Sequence, residues 1–483
     1  MRDLRARMAH IMSDGGPKLF KDLVSLMSGQ ATSMIIGFVT FAYLARVLDP
    51  AEYGAVEFAI AIAAFAAIVI ECGAGTIGVR ELARRPGEAG ALAAQITIAR
   101  LMLAAVVLPL AGFAGWASGQ HEPIQTLVWV YAFSLLAVPF KQEWMLQGYE
   151  KMHAAALAQP IRLGVQAVGV FVFIGPDTPM LAVGIVELFA VAAVTAYYLM
   201  AQWRWCAPFR FGWPIRDAVY FLREGLSVGL SNMLWAFMLY APMFLLVAMV
   251  GGTEPAWLGA TSRIVISLMT LSFIYHFNLY PVVTRTVTGD PETWARVMRA
   301  SARLVAWVGI GLALGVCLLA PDLMAFTFGP EFAAAAPAIS VMIWIFPLRT
   351  LSGHGRWSLI AAGHQRYLLI AEILGATMLL PVGLIAIPLY GAAGAAAALL
   401  AGIAVSATVT QIAVTRLIGP MAIVPAVALP LITAAIVWAG LLWWMEPGLP
   451  RALVAGGLYG AVMLTRIRPL MRDLARLGYA KET

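Results

Sequence analysis

Residues 346–357 read FPLRTLSGHGRW and set Arg349, His354 and Arg356 inside an apolar segment that runs from about Phe332 to Ala362. An unpaired cation in hydrocarbon costs roughly 2.5 to 3.5 kcal/mol on insertion scales, so these charges need compensation. An anion is the natural complement, because a guanidinium fork grips a phosphate or carboxylate through two parallel hydrogen bonds. Arg349 and Arg356 are seven residues apart, which on a helix puts them on one face with Ser352 and Gly353 between. At ~1.5 Å per residue a continuous helix would carry Arg349 about 23 Å from Ala334, too deep for easy snorkelling. Pro347 is expected to bend the helix there and free carbonyls.

Other ions share this predicament. Arg100, Lys141, Arg162 and Arg263 also fall in apolar windows, and Glu187 reads as the deepest acid. Two readings stand for each cation: an anion-binding group, or one half of an ion pair that packs helices, with Glu187, Glu143 or Glu372 as partners for Arg349, Arg356 and Lys141. Arg162 follows Pro160 and suits interhelical bonding as well as binding. Arg100 lies near one end of its window and is expected to snorkel, and Arg263 either snorkels or draws an anionic head group outward. Glu187 is a candidate proton or sodium site. His276 and His354 are candidates for titration or sugar binding, with packing as the alternative. Trp235, Tyr240, Tyr275, Phe277 and Tyr280 are read as interfacial anchors or sugar-stacking rings. Arg46, Asp49 and Glu52 are expected to organise a turn.

The elements that position these groups follow from composition. With 61% hydrophobic and 12% charged residues in 483, the chain is far too apolar for a soluble protein, where about 45–50% and 25% are usual. Windows of ~20 apolar residues are centred near 33, 65, 106, 135, 164, 190, 238, 268, 309, 346, 377, 404, 433 and 458. The fold class is therefore an all-α polytopic membrane protein with fourteen transmembrane helices; period-2 alternation is absent, which disfavours a barrel. Of the 32 Lys and Arg, six lie within spans, two (Arg46 and Arg451) on one side, and the remaining 24 on the other. That asymmetry predicts both termini in the cytoplasm. The net charge of +7 is explained by loops facing an anionic leaflet, with no nucleic acid required. Residues 1–23 read as an amphipathic surface helix. Cys72, Cys206 and Cys317 are too dispersed for a metal cluster and are expected as free thiols. No phosphate-binding loop, zinc motif or large extramembrane loop points to an enzyme, and no cofactor is expected beyond a coupling H+ or Na+.

The chain also repeats itself. Gly29 in SGQATSM matches Gly229 in VGLSNML at an offset of 200; Arg80 and Pro86 match Arg285 and Pro291 at 205; GYEKM (148–152) matches GHQRY (363–367) at 215. Two pseudosymmetric six-helix lobes with two C-terminal helices account for this. The lobes are read as 1–217, with the basic linker included, and 218–417, with 418–483 appended. An even number of spans per lobe gives both the same orientation, an arrangement that builds a transporter with its site between lobes. At offset 215 Lys141 corresponds to Arg356, so each lobe supplies a cation at one register position.

LARVLDPAEYG followed by IECGAGTIGVRELAR resembles the LAR-x-LG-P-x-x-YG and D-x-G-L-x-x-x-x-x-R-E-L-A-R pattern of Wzx-type polysaccharide-repeat flippases, of the multidrug/oligosaccharidyl-lipid/polysaccharide exporter superfamily. Asp49 stands where Gly is usual and Glu71 where Asp is. The resemblance covers most of the chain. It implies a flippase in the bacterial cytoplasmic (inner) membrane that moves an undecaprenyl-pyrophosphate-linked oligosaccharide from the inner to the outer leaflet. Its implied partners are that lipid-linked substrate, the membrane lipids, and a polysaccharide polymerase with chain-length machinery. The substrate-binding candidates under this reading are Arg349, Arg356, Lys141, Arg263, Arg162, Arg100 and His276, with Glu187 as the ion-coupling candidate. A lipid II-type flippase shares the charge logic, a drug exporter of the superfamily would need carboxylates facing a cationic substrate where the mid-membrane balance here is cationic, and a glycan polymerase or ligase would need a large outer loop bearing Arg and His.

Overall fold

The computed structural model describes residues 28–210, 215–287, 289–445 and 448–478. The expected surface helix at residues 1–23 lies outside them. Among the described residues the chain is helical with no strand, and twelve helices are long and apolar enough to cross a membrane. One of the twelve, α15, spans Arg366–Leu417 and is two helices in one. Gly391 interrupts it at φ 52°, ψ −127°. The break is capped by Glu254, whose Oε2 accepts from the Ala392 N–H at 2.6 Å, so an acid from elsewhere satisfies the start of the second half. The chain divides into two compact units, one ending at Ala236 and the other beginning at Phe237.

In the first unit, α1 (Ser28–Val47) packs on α7 (Met152–Phe173), and the Tyr43 hydroxyl donates to the Ile174 carbonyl at 2.9 Å. α2 (Pro50–Glu71) runs into α3 (Ala74–Arg84) through Cys72 and Gly73, both in the left-handed region. α3, α4 (Ala89–Ala117) and α6 (Glu143–Gly148) close around Ile77, Leu82, Leu92, Ile96 and Trp144, with Phe221 from the first turns of α9 (Ile215–Met249). α5 (Ile124–Ser134) and α8 (Leu181–Trp205) complete the unit.

In the second unit, α10 (Glu254–Thr286), α11 (Pro291–Leu318), the short α12 (Ala320–Phe328), α13 (Ala336–Met342) and α14 (Ile345–Ala361) precede α15. The last helices, α16 (Ile423–Trp444) and α17 (Leu449–Gly478), lie against α11 in one apolar cluster with Trp307, Ile310 and Leu314, where the Tyr459 hydroxyl donates to the Trp307 carbonyl at 3.0 Å.

Two expected spans are not single helices. Phe332–Ala362 is built as a 3-10 turn (Pro330–Ala335), α13 and α14, and the chain breaks at Ile343–Trp344. Pro347 explains the place: it offers no N–H to Ile343 and its ring clashes with that carbonyl, so the Phe346 N–H takes the Ile343 oxygen at 3.0 Å instead. Pro347 thus sits in the first turn of a new helix and does not bend an existing one. Likewise α5 stops at Ser134, and Leu135–Phe140 is a 3-10 stretch containing Pro139. Lys141, expected within a span helix, follows it in extended backbone at ψ 93°.

The two halves of α15 meet through glycine. A Cβ on Gly375 would lie 2.6 Å from the Gly402 carbonyl oxygen, and one on Gly402 would lie 2.9 Å from that of Gly375. Such backbone contact is the small-residue packing that drives helix association in lipid. Gly402→Val is therefore expected to lower the midpoint of thermal unfolding in detergent, with a cost of about 1–3 kcal/mol from overpacking, while Gly440→Val, which meets open space, leaves it in place.

Candidate functional site

α14 turns its two arginines toward α15. Arg349 donates from both terminal nitrogens to Glu372 Oε1 at 3.3 Å, and Arg356 donates to the same oxygen at 3.2 Å. The shared face predicted from the spacing of seven is thus present, and Glu372 is the partner that compensates it. One carboxylate cannot neutralise two guanidiniums, so the trio carries a formal charge of +1. Exposure is distributed the same way: the Glu372 side chain is 11% exposed, against 25% for Arg349 and 43% for Arg356. The open side of the trio is cationic. Ser352 lies between, its hydroxyl donating to the Arg349 carbonyl at 3.1 Å.

The rotation of α14 is set by a polar cluster on its opposite side. His354 is fully buried; its Nδ1–H donates to the Leu351 carbonyl at 3.1 Å, which leaves Nε2 as an acceptor facing the Ser301 hydroxyl at 2.8 Å and the Tyr275 hydroxyl at 3.0 Å, which also bond to each other. His276 packs edge-on against it, ring centroids 5.2 Å apart, and its Nδ1–H donates to the Ser272 carbonyl at 2.8 Å. A side chain at Gly353 would collide with the His276 ring, so the two helices touch there. His276 Nε2 is buried without a hydrogen-bond partner among the described residues. Both histidines hold helices together, as does Trp294, whose indole N–H donates to Ser358 at 3.1 Å.

The first unit holds its ions differently. Arg100, expected to snorkel, is 1% exposed and pairs with Glu71 at 2.5 Å, while its second terminal nitrogen donates to the Lys141 carbonyl at 2.8 Å. Glu71 also accepts from the Gly75 N–H at 3.1 Å and so caps the start of α3. The snorkelling expectation fails because a carboxylate and an unpaired carbonyl at the broken span offered closer partners than water. Lys141 projects outward, half exposed, and pairs with Glu143 at 3.1 Å. Lys141 and Arg356, matched by the repeat, therefore occupy different local structures.

Arg162 forms an ion pair with Glu187, whose other oxygen accepts from Gln166 at 2.9 Å. Glu187 was weighed as a partner for Arg349, Arg356 or Lys141; it belongs to Arg162 because α7 and α8 pack side by side. Arg263 lies nine residues into α10, partly buried. Tyr275 is part of the His354 cluster, Tyr280 packs on Trp357 with centroids 4.9 Å apart, Tyr240 is partly buried, and Trp235 and Phe277 are exposed. Sequence reasoning passed over Glu57, a 6%-exposed acid in α2 that accepts from the Tyr53 hydroxyl at 2.8 Å. Its signal was plain: an acid in the middle of the apolar run YGAVEFAIA.

Residues 19–287 match the family model described as polysaccharide biosynthesis protein. A search of curated proteins finds no match. Among solved structures the chain is similar to the lipid II flippase MurJ in an inward closed conformation, with TM-score 0.77, 14% identity and coverage of 94% of this chain and 100% of that one. It is also similar to an inward-facing multidrug resistance MATE family transporter of the MOP superfamily, with TM-score 0.64, 16% identity and coverage of 82% and 95%. The fold is that of these transporters.

The Arg100 contacts carry a stability prediction. Arg100→Ala leaves Glu71 and the Lys141 carbonyl without their buried donor, and is expected to cost on the order of 3 kcal/mol, at the low end for a broken buried pair because Glu71 keeps some exposure. The level of folded protein in membranes and the melting midpoint check it: both should fall for Arg100→Ala, and much less for Lys141→Ala, whose backbone carbonyl survives.

Proposed function

Because this chain belongs to the polysaccharide biosynthesis protein family, we propose that it is a flippase that carries an undecaprenyl-pyrophosphate-linked oligosaccharide repeat unit from the cytoplasmic to the periplasmic leaflet, for surface or exopolysaccharide synthesis. Supporting this reading is one observation above the rest: two arginines within an apolar span share a single carboxylate and keep an uncompensated, accessible positive charge. A pyrophosphate is the anion such a pair suits, since each fork can take oxygens from one phosphate. The head group is the costly part to carry through hydrocarbon, so it needs a polar path, while the polyprenyl tail stays in lipid. Arg349 and Arg356 bind the phosphates, and Glu372 keeps the pair compensated when no substrate is present. Lys141 and Arg263 are further stations on the path, and weak successive sites hand the phosphates on without trapping them. In this reading the chain crosses the membrane fourteen times with both termini cytoplasmic, exposes the arginine pair alternately to the two sides, and couples the cycle to H+ or Na+. It is a transporter and not an enzyme.

The likeness to MurJ supports a second reading, in which the glycan is that of a lipid II-type precursor. The pyrophosphate chemistry is common to both, and complementation separates them: restoration of surface polysaccharide export in a flippase-null strain supports the first, and rescue of a strain lacking its lipid II flippase supports the second. A cationic drug is disfavoured because Glu187 and Glu372 already serve arginines.

Arg349→Ala should reduce surface glycan roughly 10- to 100-fold, the loss of a charged hydrogen-bond donor, while membrane protein stays near the normal level, because Arg356 still compensates Glu372. Glu372→Ala leaves two neighbouring guanidiniums without their carboxylate and is expected to lower the protein level as well. Glycan on the cell surface and protein in the membrane, measured together, check both.

Alternating access is checked at Ser352→Cys with a bulky membrane-impermeant maleimide at pH 7, applied from each side. Labelling should move from one side to the other when substrate or an ion gradient is supplied, and a static pattern counts against the mechanism. Native Cys206 should give little background, because burial pushes its thiol up to about 11 and leaves it protonated at that pH.

A further inference from the structure

A cavity of about 460 Å³ opens in the second unit between the first turns of α11 and the Ile418–Pro420 turn that joins α15 to α16. We propose that it binds the phosphate head group of an acidic bilayer phospholipid, at a site separate from the Arg349, Arg356 and Glu372 trio and independent of how that trio is used.

Its lining is suited to a phosphodiester. Arg296 and Arg299 supply two guanidiniums, and Glu292 supplies the single acid. Neither arginine has a carboxylate partner among the described residues; Arg296 donates only to the neutral Thr293 hydroxyl, at 2.9 Å. Arg303 continues the same helical face seven residues after Arg296, exposed, so the field of the stripe is positive despite Glu292. The floor is rigid: Trp294 is 1% exposed and anchored by its bond to Ser358, and Gly419, in the left-handed region, brings the turn to within a side chain's width of the indole. An open notch between two cationic side chains and a fixed aromatic floor fits a phosphate and its short polar substituent.

The position selects a lipid as the source of that phosphate. Beyond Arg303 the helix reads LVAWVGIGLALGVCL, uncharged to its end, so the arginines stand at the edge of the apolar run where head groups lie. Clustered Arg at such a boundary attracts acidic lipid by roughly 1 kcal/mol per residue, and a pocket between helices adds selectivity over a flat patch. Ile418 and Pro420 give the adjoining acyl and glycerol carbons an apolar rim.

The purified full-length protein is titrated with phosphatidylglycerol, with phosphatidylcholine and with inorganic phosphate, and bound lipid is read by native mass spectrometry. Phosphatidylglycerol should bind in preference to phosphatidylcholine. The double variant R296Q/R299Q should bind it on the order of 10- to 30-fold more weakly, whereas R366Q, an exposed arginine outside the cavity, should bind as the native protein does. Ala295→Trp keeps both arginines and fills the cavity, and should also lose the lipid, which guards against a charge variant that simply misfolds. The proposal is overturned if the double variant and Ala295→Trp retain native affinity, or if phosphatidylcholine binds equally. It is also overturned if low millimolar inorganic phosphate displaces the lipid, which would make the site one for a soluble anion.

Discussion

Charge that enters hydrocarbon has to be matched by charge, and in each unit that requirement ties neighbouring helices together. Glu71 holds Arg100, Glu187 holds Arg162, and Glu372 holds both Arg349 and Arg356. The first two pairs balance. The third does not, and the imbalance leaves a demand for an external anion. A buried pair contributes little net stability against well-packed apolar residues, yet removing one member is costly, so such pairs act chiefly to specify which helices lie together. The trio specifies α14 against α15 and retains a charge besides.

Helix rotation makes that charge available. α14 is pinned on one side by His354, Ser301 and Tyr275 and by the contact of Gly353 with His276. With that side fixed, residues seven apart have only one direction left to face, and both arginines reach the same oxygen. The glycines at 353 and 355 allow α14 to sit close to its neighbours, and the glycine contact within α15 brings Glu372's helix tightly onto its own second half. Packing by small residues and pinning by buried polar groups therefore act together to aim two long side chains.

Much of this was legible from the residue order. The apolar windows, the in-span cations and the common face of Arg349 and Arg356 follow from composition and spacing, and the resemblance carried by LARVLDPAEYG points to the family. The ion pairing is legible in part: Glu372 and Glu143 are among the partners the sequence offers to Arg349, Arg356 and Lys141, whereas the pairing of Glu187 with Arg162 and of Glu71 with Arg100 depends on which helices become neighbours, and one-dimensional periodicity does not order helices in space. The breaks at 135–142 and 343–344 were hidden for a different reason: Pro139 and Pro347 each stand amid apolar residues that satisfy a hydropathy window whether or not the helix continues. The repeat aligns Lys141 with Arg356, but at that offset Pro139 falls on His354 and Pro347 on Ala132, so the same register leads to extended backbone in one half and helix in the other.

The grip of Arg100 on position 141 is on the main chain. Its guanidinium meets the carbonyl of Lys141 and ignores the amine. Every amino acid has that carbonyl, so the anchor does not depend on the side chain there, and the half-exposed lysine meets only Glu143 in a solvent-facing pair on which the fold does not rest. Position 141 is thus evolvable: its chemistry can be exchanged one residue at a time, charge for neutrality or bulk for smallness, while the scaffold that presents it stays the same. A lineage whose cargo changes has in such a position a place to adapt without first acquiring a stabilising substitution elsewhere.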